Sequence, residues 1–285
     1  MALGNLASRF LVAVVAAPIL IGAFYHSRPE LTWGLVFIAS LLTMQEFFAM
    51  TLADRPRDRV ASLVIGGVAC AALYWLHPTA LHLAGPWGMA VWRVGPMAVL
   101  VLAVVPVALW YLFRFGDMAT AAPRFAASVA GILYAGLLTT CVALIKRDLP
   151  HGGDVVLLVI LVAWVGDSGA YFAGRFLGKR KLYEAVSPKK TWAGAVGGLA
   201  ASVVAAAGMK LLRMDAMMSW LDVFLIAVPG AALGQMGDLA ESVLKRSTGV
   251  KDSGALLPGH GGLLDRVDAV LFIGPYVYLY FLLQA

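Results

Sequence analysis

The chain is built from apolar runs that are nearly continuous and almost free of charge. Nine can be marked, at roughly 10–25, 31–50, 60–76, 97–113, 125–145, 155–174, 191–209, 223–244 and 267–283. A helix needs about 20 residues to cross the hydrocarbon core of a bilayer, whereas the strands of a membrane barrel alternate apolar and polar residues. These runs do not alternate. The spacing therefore predicts an all-α, polytopic integral membrane protein with about nine transmembrane helices. Composition bears on the same point, since 61% of the 285 residues are hydrophobic, 13% are charged, and the mean hydropathy is +0.84. Soluble domains carry about 25% charged residues. A soluble globular protein, a disordered tail and a nucleic-acid-binding domain are all excluded, so nucleic acid is not an expected partner and the bilayer is.

The formal charge of +6 is placed between the apolar runs, where topology control or phosphate binding accounts for it. With nine spans and a cytoplasmic N-terminus, 16 Lys and Arg residues fall inside and six outside, which predicts an N-inside, C-outside protein. The first run follows Arg9 and is short, but no convincing cleavage site comes after it, so it is expected to be an uncleaved span. Cys70 and Cys141 lie inside apolar runs without metal-ligand spacing and read as packing residues. His26, His77, His82 and His151 fall in outward connections and are expected to be solvated.

Polar chemistry is unevenly spread. Residues 1–150 read as a packing half of N-terminal transmembrane helices. Residues 151–285 read as a working half whose loops 175–190 and 245–266 share the cytoplasmic side. No internal repeat of the inverted-transporter kind is visible. Glu46, in the second run, is open to two roles, a buried partner for a basic residue or a pocket-lining group.

The densest stretch runs from Gly234 to Asp268. On a helix, Asp238, Glu241, Ser242 and Lys245 share one face. Glycine and proline then break the helix around 249–262, and a new helix is expected near Leu264 with Asp265 and Asp268 one turn apart. Carboxylates in an apolar phase cost about 2.5–3.5 kcal/mol each on insertion scales and are usually paired or functional. With Lys245, Arg246 and Lys251 beside them, they point to a divalent metal and phosphate. An interfacial salt-bridge cluster would account for any one of these residues, less readily for the whole group. His260 sits in the glycine-rich loop and reads as a phosphate contact or loop organiser.

A second group spans Trp164 to Gly198, with Asp167 late in its span, Ser168 beside it and Tyr171 one turn on. In Ser187-Pro188-Lys189-Lys190-Thr191, Ser187 suits a cap and Pro188 a first helical turn, so the lysines are expected at a helix N-terminus that favours anions. Positive-inside anchoring would explain the lysines alone. Gly194 and Gly198 form a small-xxx-small pair suited to helix packing.

Together these residues resemble a known family. Ser242-x-x-Lys245-Arg246, Lys251-Asp252 and Pro258-x-His260-Gly261-Gly262-x-x-Asp265-Arg266-x-Asp268 are similar to the C-terminal signature of the phosphatidate cytidylyltransferases, or CDP-diacylglycerol synthases. The match covers 27 residues with every fixed position present. Gly166-Asp167-Ser168 and the 187–191 group extend the likeness over roughly 160–285, while the N-terminal half matches only as hydrophobic spans, with Glu46 at an acidic position. Ala193 departs from the family, which commonly places Glu or Gln there, and that puts one polar contact near the nucleotide in doubt.

The resemblance implies Mg²⁺-dependent reaction of CTP with phosphatidic acid, giving CDP-diacylglycerol and pyrophosphate in phospholipid biosynthesis. It leaves room for a second cation. The implied metal cluster is Asp238, Asp265 and Asp268, with Asp167 as an accessory carboxylate. Lys189, Lys190, Lys245, Arg246 and Lys251 would clamp the triphosphate or lipid phosphate; Ser187, Thr191, His260 and Arg266 would add substrate contacts. A homodimer in a bacterial inner membrane, with its site facing the cytoplasm, is also implied. Two other readings compete: a CTP-using lipid kinase, which would transfer the γ-phosphate to an alcohol, and a secondary transporter with buried acids in its ion path.

Overall fold

A computed structural model describes residues 17–254 and 261–284. Residues 17–25 are helical (α1), and the helices α2 (Pro29–Thr51), α3 (Pro56–Trp75), α4 (Pro78–Leu81), α5 (Gly85–Arg114) and α6 (Met118–Asp148) follow. Next come α7 (Gly152–Leu177), the strands β1 (Lys181–Tyr183) and β2 (Ser187–Thr191), then α8 (Trp192–Met214), α9 (Trp220–Ser247), α10 (Leu264–Val267) and α11 (Val270–Gln284). Prolines open α2, α3 and α4, where a missing N–H costs nothing and φ is already helical.

The protein is an all-α polytopic membrane protein. Among the described residues, α2, α3, α5, α6, α7, α8 and α9 are long and apolar enough to cross a membrane. The expected count of nine is not reached there, because α11 has only 15 residues and the first run lies partly outside the described residues. The small antiparallel β1–β2 ribbon has no counterpart in the sequence-based expectation.

The described residues group into two compact units. The first is Met1–Asp148 with Asp252–Leu264, and the second is Leu149–Lys251 with Asp265–Ala285.

In the first unit, absent side chains let bulky ones interlock. A Cβ on Gly131 of α6 would stand 2.2 Å from Phe48 and 2.6 Å from Phe47 of α2, and one on Gly66 or Gly136 would meet the Met44 sulfur at 2.5 and 2.7 Å. Helix α6 widens to a π-turn over Ile132–Leu137, where the Ala135 carbonyl accepts the hydroxyls of Thr43 (2.8 Å) and Thr139 (2.7 Å). A polar thread joins α3, α5 and α6. Asp58 accepts from Trp110 Nε1 at 2.9 Å and from Arg124 at 2.8 Å, and Ser128 accepts from Ser62 at 2.8 Å.

Among the described residues, Glu46 is met by hydroxyl and main-chain donors. Its carboxylate accepts the Ser253 hydroxyl (3.0 Å) and the backbone N–H groups of Leu263 (2.9 Å) and Leu264 (2.8 Å), all in the same unit.

In the second unit, α7 and α8 lie backbone to backbone. A Cβ on Gly169 would stand 2.3 Å from Ala201 Cβ, and one on Gly197 would stand 2.2 Å from Ala173 Cβ. Gly194 faces the Ala170 carbonyl and Gly198 faces the Gly166 carbonyl, so the small-xxx-small pair serves packing inside this chain. Helix α9 uses the same device against the chain around α11. A Cβ on Gly234 would meet Ile273 at 2.8 Å, and one on Gly237 would meet the Asp268 carbonyl at 2.7 Å.

Candidate functional site

The site lies within the second unit and starts from helix ends. Asp167, Tyr171 and Arg175 recur every four residues along α7, and Arg175 donates to the Tyr171 hydroxyl at 2.8 Å. All three line a pocket of about 360 Å³, together with Lys189, Lys190, Thr191 and Asp238. The sequence places Tyr171 in this group without giving it a role, and counts Arg175 only among the loop's basic residues. Their four-residue spacing from Asp167 was the available signal, obscured because a basic residue at the end of a span also reads as topology control.

Ser187 and Pro188 do not start a helix, contrary to the sequence reading. They open β2, paired with β1 in the register Lys181↔Thr191 and Tyr183↔Ser187. A fixed proline φ suits a two-stranded edge as well as a first helical turn, and a ribbon strand needs no N–H at that position. Lys181 Nζ donates to the Pro188 carbonyl at 2.5 Å. The cap of α8 is Thr191, whose hydroxyl accepts the Gly194 N–H at 3.1 Å. The ribbon leads directly into the helix start, with the Trp192 N–H donating to the Arg180 carbonyl at 3.0 Å. The phosphate-type lysines therefore sit on a strand beside a helix N-terminus, not within its first turn. Ala193 is absent from the pocket lining, whereas Gly194 and Ala195 belong to it.

Helix α9 contributes the acids. Lys190 Nζ stands 2.6 Å from Asp238 Oδ2, bringing the ribbon and α9 together, and Gln235 Nε2 donates to the Ala195 carbonyl at 3.0 Å. Two turns further on, Lys245 Nζ bridges Glu241 Oε2 (3.0 Å) and Asp265 Oδ1 (2.5 Å). Glu241 is fully buried and its Oε1 has no hydrogen-bond partner. The helix-face pattern showed where Glu241 lies but not its role. A buried carboxylate with one oxygen unsatisfied is costly and draws in any available positive charge.

Asp268, in the turn before α11, is buried, and its Oδ1 accepts the Ala269 N–H at 2.7 Å. Burial pushes its carboxyl above the usual carboxylate range, and the nearby charges of Asp238 and Asp167 push it further. Gly237 lets the chain at Asp268 approach α9 closely enough for this. Asp167, Asp238 and Asp268 thus crowd one another, with the charges of Lys190 and Arg266 acting on Asp167.

The remaining expected residues lie elsewhere. Arg246 is exposed at the end of α9 and donates to the Val250 carbonyl at 3.5 Å; Lys251 is exposed in the turn beyond. Ser187 is half-buried in β2 and is not part of the pocket lining. His260 lies outside the described residues.

The acids meet a specific test for a cation. Among the described residues no three His, Cys, Asp or Glu side chains are set as a cage around one point. Mg²⁺ does not require one, since it usually takes one or two protein carboxylates and completes its shell with waters and substrate phosphates. Neighbouring carboxylates whose negative charges act on one another are the donor set that a hard cation relieves. The residues fit Mg²⁺ bound jointly with a phosphate ligand.

Known proteins give this geometry a context. Residues 7–284 match the model of the cytidylyltransferase family. A phosphatidate cytidylyltransferase of Brucella suis biovar 1 is 44% identical over 151 residues, 53% of this chain and 55% of that protein. Those of Haemophilus influenzae (40% over 161 residues, 55% and 56%) and Bacillus subtilis (44% over 128 residues, 45% and 47%) are also similar. The chain spans about half the length of the curated relatives it matches. Because the family match runs through nearly the whole chain rather than the signature alone, this protein belongs to the cytidylyltransferase family.

Proposed function

We propose that this protein transfers the cytidylyl group of CTP to phosphatidic acid, giving CDP-diacylglycerol and pyrophosphate. The observation that carries the reading is the Lys190–Asp238 contact at 2.6 Å, where a lysine ribbon and a crowded carboxylate group meet in one pocket. Names of the similar bacterial proteins support the substrate pair.

The chemistry needs little from a general base. A phosphate monoester carries about −1.5 to −2 charge near neutral pH and is itself a nucleophile. The lipid phosphate oxygen attacks the α-phosphorus of CTP, a P–O bond forms there, and the bond to the β-phosphate oxygen breaks to release pyrophosphate. The protein must bring two anions together, align them and offset the charge that builds on the leaving group. Lys189 and Lys190 would hold triphosphate oxygens beside the N-terminus of α8, whose cap Thr191 fixes the first turn. Lys245, oriented by Glu241 and Asp265, would face a second phosphate, with Arg266 and the exposed Arg246 and Lys251 adding positive charge on the same stretch of chain. Asp238 and Asp268, with Asp167 beside them, would hold Mg²⁺, which when bound supplies charge neutralisation and a template for the phosphates.

On this reading the site opens to the cytoplasm of a bacterial inner membrane, admitting CTP from water and the lipid from the leaflet; the bias of Lys and Arg among the connections supports that sidedness. A homodimer rests on family resemblance, since Gly194 and Gly198 pack within this chain.

Purified protein in detergent, given phosphatidic acid, Mg²⁺ and CTP labelled at either the α- or the γ-phosphate, tests the reading. Label from the α position is expected in lipid, and EDTA is expected to abolish it. Label from the γ position would indicate a lipid kinase, and no transfer by folded protein would favour transport.

A further inference from the structure

Both oxygens of Glu46 are committed to one segment of chain. Oε1 accepts the Leu263 N–H at 2.9 Å, while Oε2 accepts the Leu264 N–H at 2.8 Å and the Ser253 hydroxyl at 3.0 Å. Bonds to an ionised acceptor are the stronger kind. The segment's glycines are fitted around this carboxylate. A Cβ on Gly254 would stand 2.7 Å from Oε1; one on Gly262 would stand 2.6 Å from Oε2 and 2.0 Å from Ser253 Oγ. Gly261 adopts φ +78°, a left-handed turn that glycine takes without strain, immediately before these contacts.

The two amides bound by Glu46 open α10, and the residues that follow them are Asp265, Arg266 and then Asp268. We infer that Glu46 is a positioning residue for the transfer reaction: it holds the Leu263 and Leu264 amides that open α10, and with them the helical turn that carries Asp265 and Arg266. This rests on the proposed function, in which that stretch carries metal and phosphate contacts. Among the described residues the partners of Glu46 are Ser253, Leu263 and Leu264, none of which the proposed reaction uses. A carboxylate serving stability alone would behave as Asp58 does, whose oxygens accept from Trp110 and Arg124.

Glu46→Gln separates the two roles. It keeps the side-chain shape but turns one oxygen into a donor aimed at groups that already donate. In the full-length protein, assayed with phosphatidic acid, Mg²⁺ and α-labelled CTP, kcat is expected to fall about 10- to 100-fold with the apparent KM for CTP within about threefold of wild type. Hydrogen exchange at the Leu263 and Leu264 amides is expected to quicken in the same variant. Asp58→Asn is expected to lower the melting temperature while leaving kcat unchanged well below it. Should Glu46→Gln fail to fold, Gly262→Ala, which keeps the carboxylate but displaces the segment, is expected to give the same loss of kcat. An unchanged kcat in folded Glu46→Gln overturns the inference, and so does a loss that Asp58→Asn shares. Absence of label transfer by the wild-type protein would instead overturn the proposed function, and this inference with it.

Discussion

Buried acids occur in both units, but they are not all treated alike. In the first unit each is closed off: Asp58 has a donor on both oxygens, and Glu46 has three donors. In the second unit Asp154, at the far end of α7 from the site, is closed in the same way by Arg213, but the acids of the candidate site are left short. Glu241 keeps an unpartnered oxygen, Lys245 is shared between two carboxylates, and Asp268 is pushed up by burial and by Asp238 and Asp167. A closed acid holds a fold together, whereas an acid that repels its neighbours keeps electrostatic work for a ligand. Both halves of a membrane protein can therefore carry the same residue type at similar burial, and only the completeness of its partners tells structure from function.

That contrast can be broken by substitution. Asp238→Asn removes a charge from the crowded group without altering its shape. Cytidylyl transfer is expected to fall by at least about 10³-fold while thermal stability changes little, because relieved repulsion offsets the loss of the Lys190 contact, which is far more exposed than the Arg124–Asp58 pair; turnover and a melting curve on one preparation check both. Lys190→Ala should raise the apparent KM for CTP by about 10- to 100-fold, the size expected of a lost charge-assisted phosphate contact, and initial rates across a CTP series read it directly. Asp58→Asn tests the other side, since it leaves Arg124 buried without its carboxylate partner. A loss of about 3 kcal/mol in stability is expected, seen as a lower melting temperature, with kcat per folded molecule retained. Ala193→Gln is expected to have the smallest effect. Residue 193 is outside the pocket lining, so the apparent KM for CTP should move by less than about threefold, and a larger change would extend the site.

Much of the fold is legible in the sequence because a bilayer leaves the chain few choices. Eight of the nine apolar runs fall on helices that the structure describes from end to end, whereas Asp238, expected at a helix end, lies well inside α9. What escaped has identifiable physical causes. The five residues of Ser187–Thr191 carry no periodicity, and Pro188 fits either a helix start or an edge strand, so the ribbon is invisible locally. The first partner of Glu46 is 207 residues away in sequence, beyond any spacing rule. Asp265 belongs to the expected metal group by its position in the motif, yet it engages Lys245, a choice decided by where α9 brings that side chain. Gly237 both lets Phe272 pack close to α9 and admits the Asp268 carbonyl beside it, so packing and site geometry share one position that no local pattern marks.

The contrast between closed and open acids is tested most directly by the ligand-induced change in melting temperature of the wild-type, Asp238→Asn and Asp58→Asn proteins, each with and without CTP and Mg²⁺. A ligand that binds only the folded state raises the melting temperature, and more so the tighter it binds at a given concentration. Wild type and Asp58→Asn are expected to gain the same increment from different baselines, and Asp238→Asn is expected to gain none. A full increment in Asp238→Asn would contradict the claim that the crowded carboxylates of the second unit hold the metal and nucleotide.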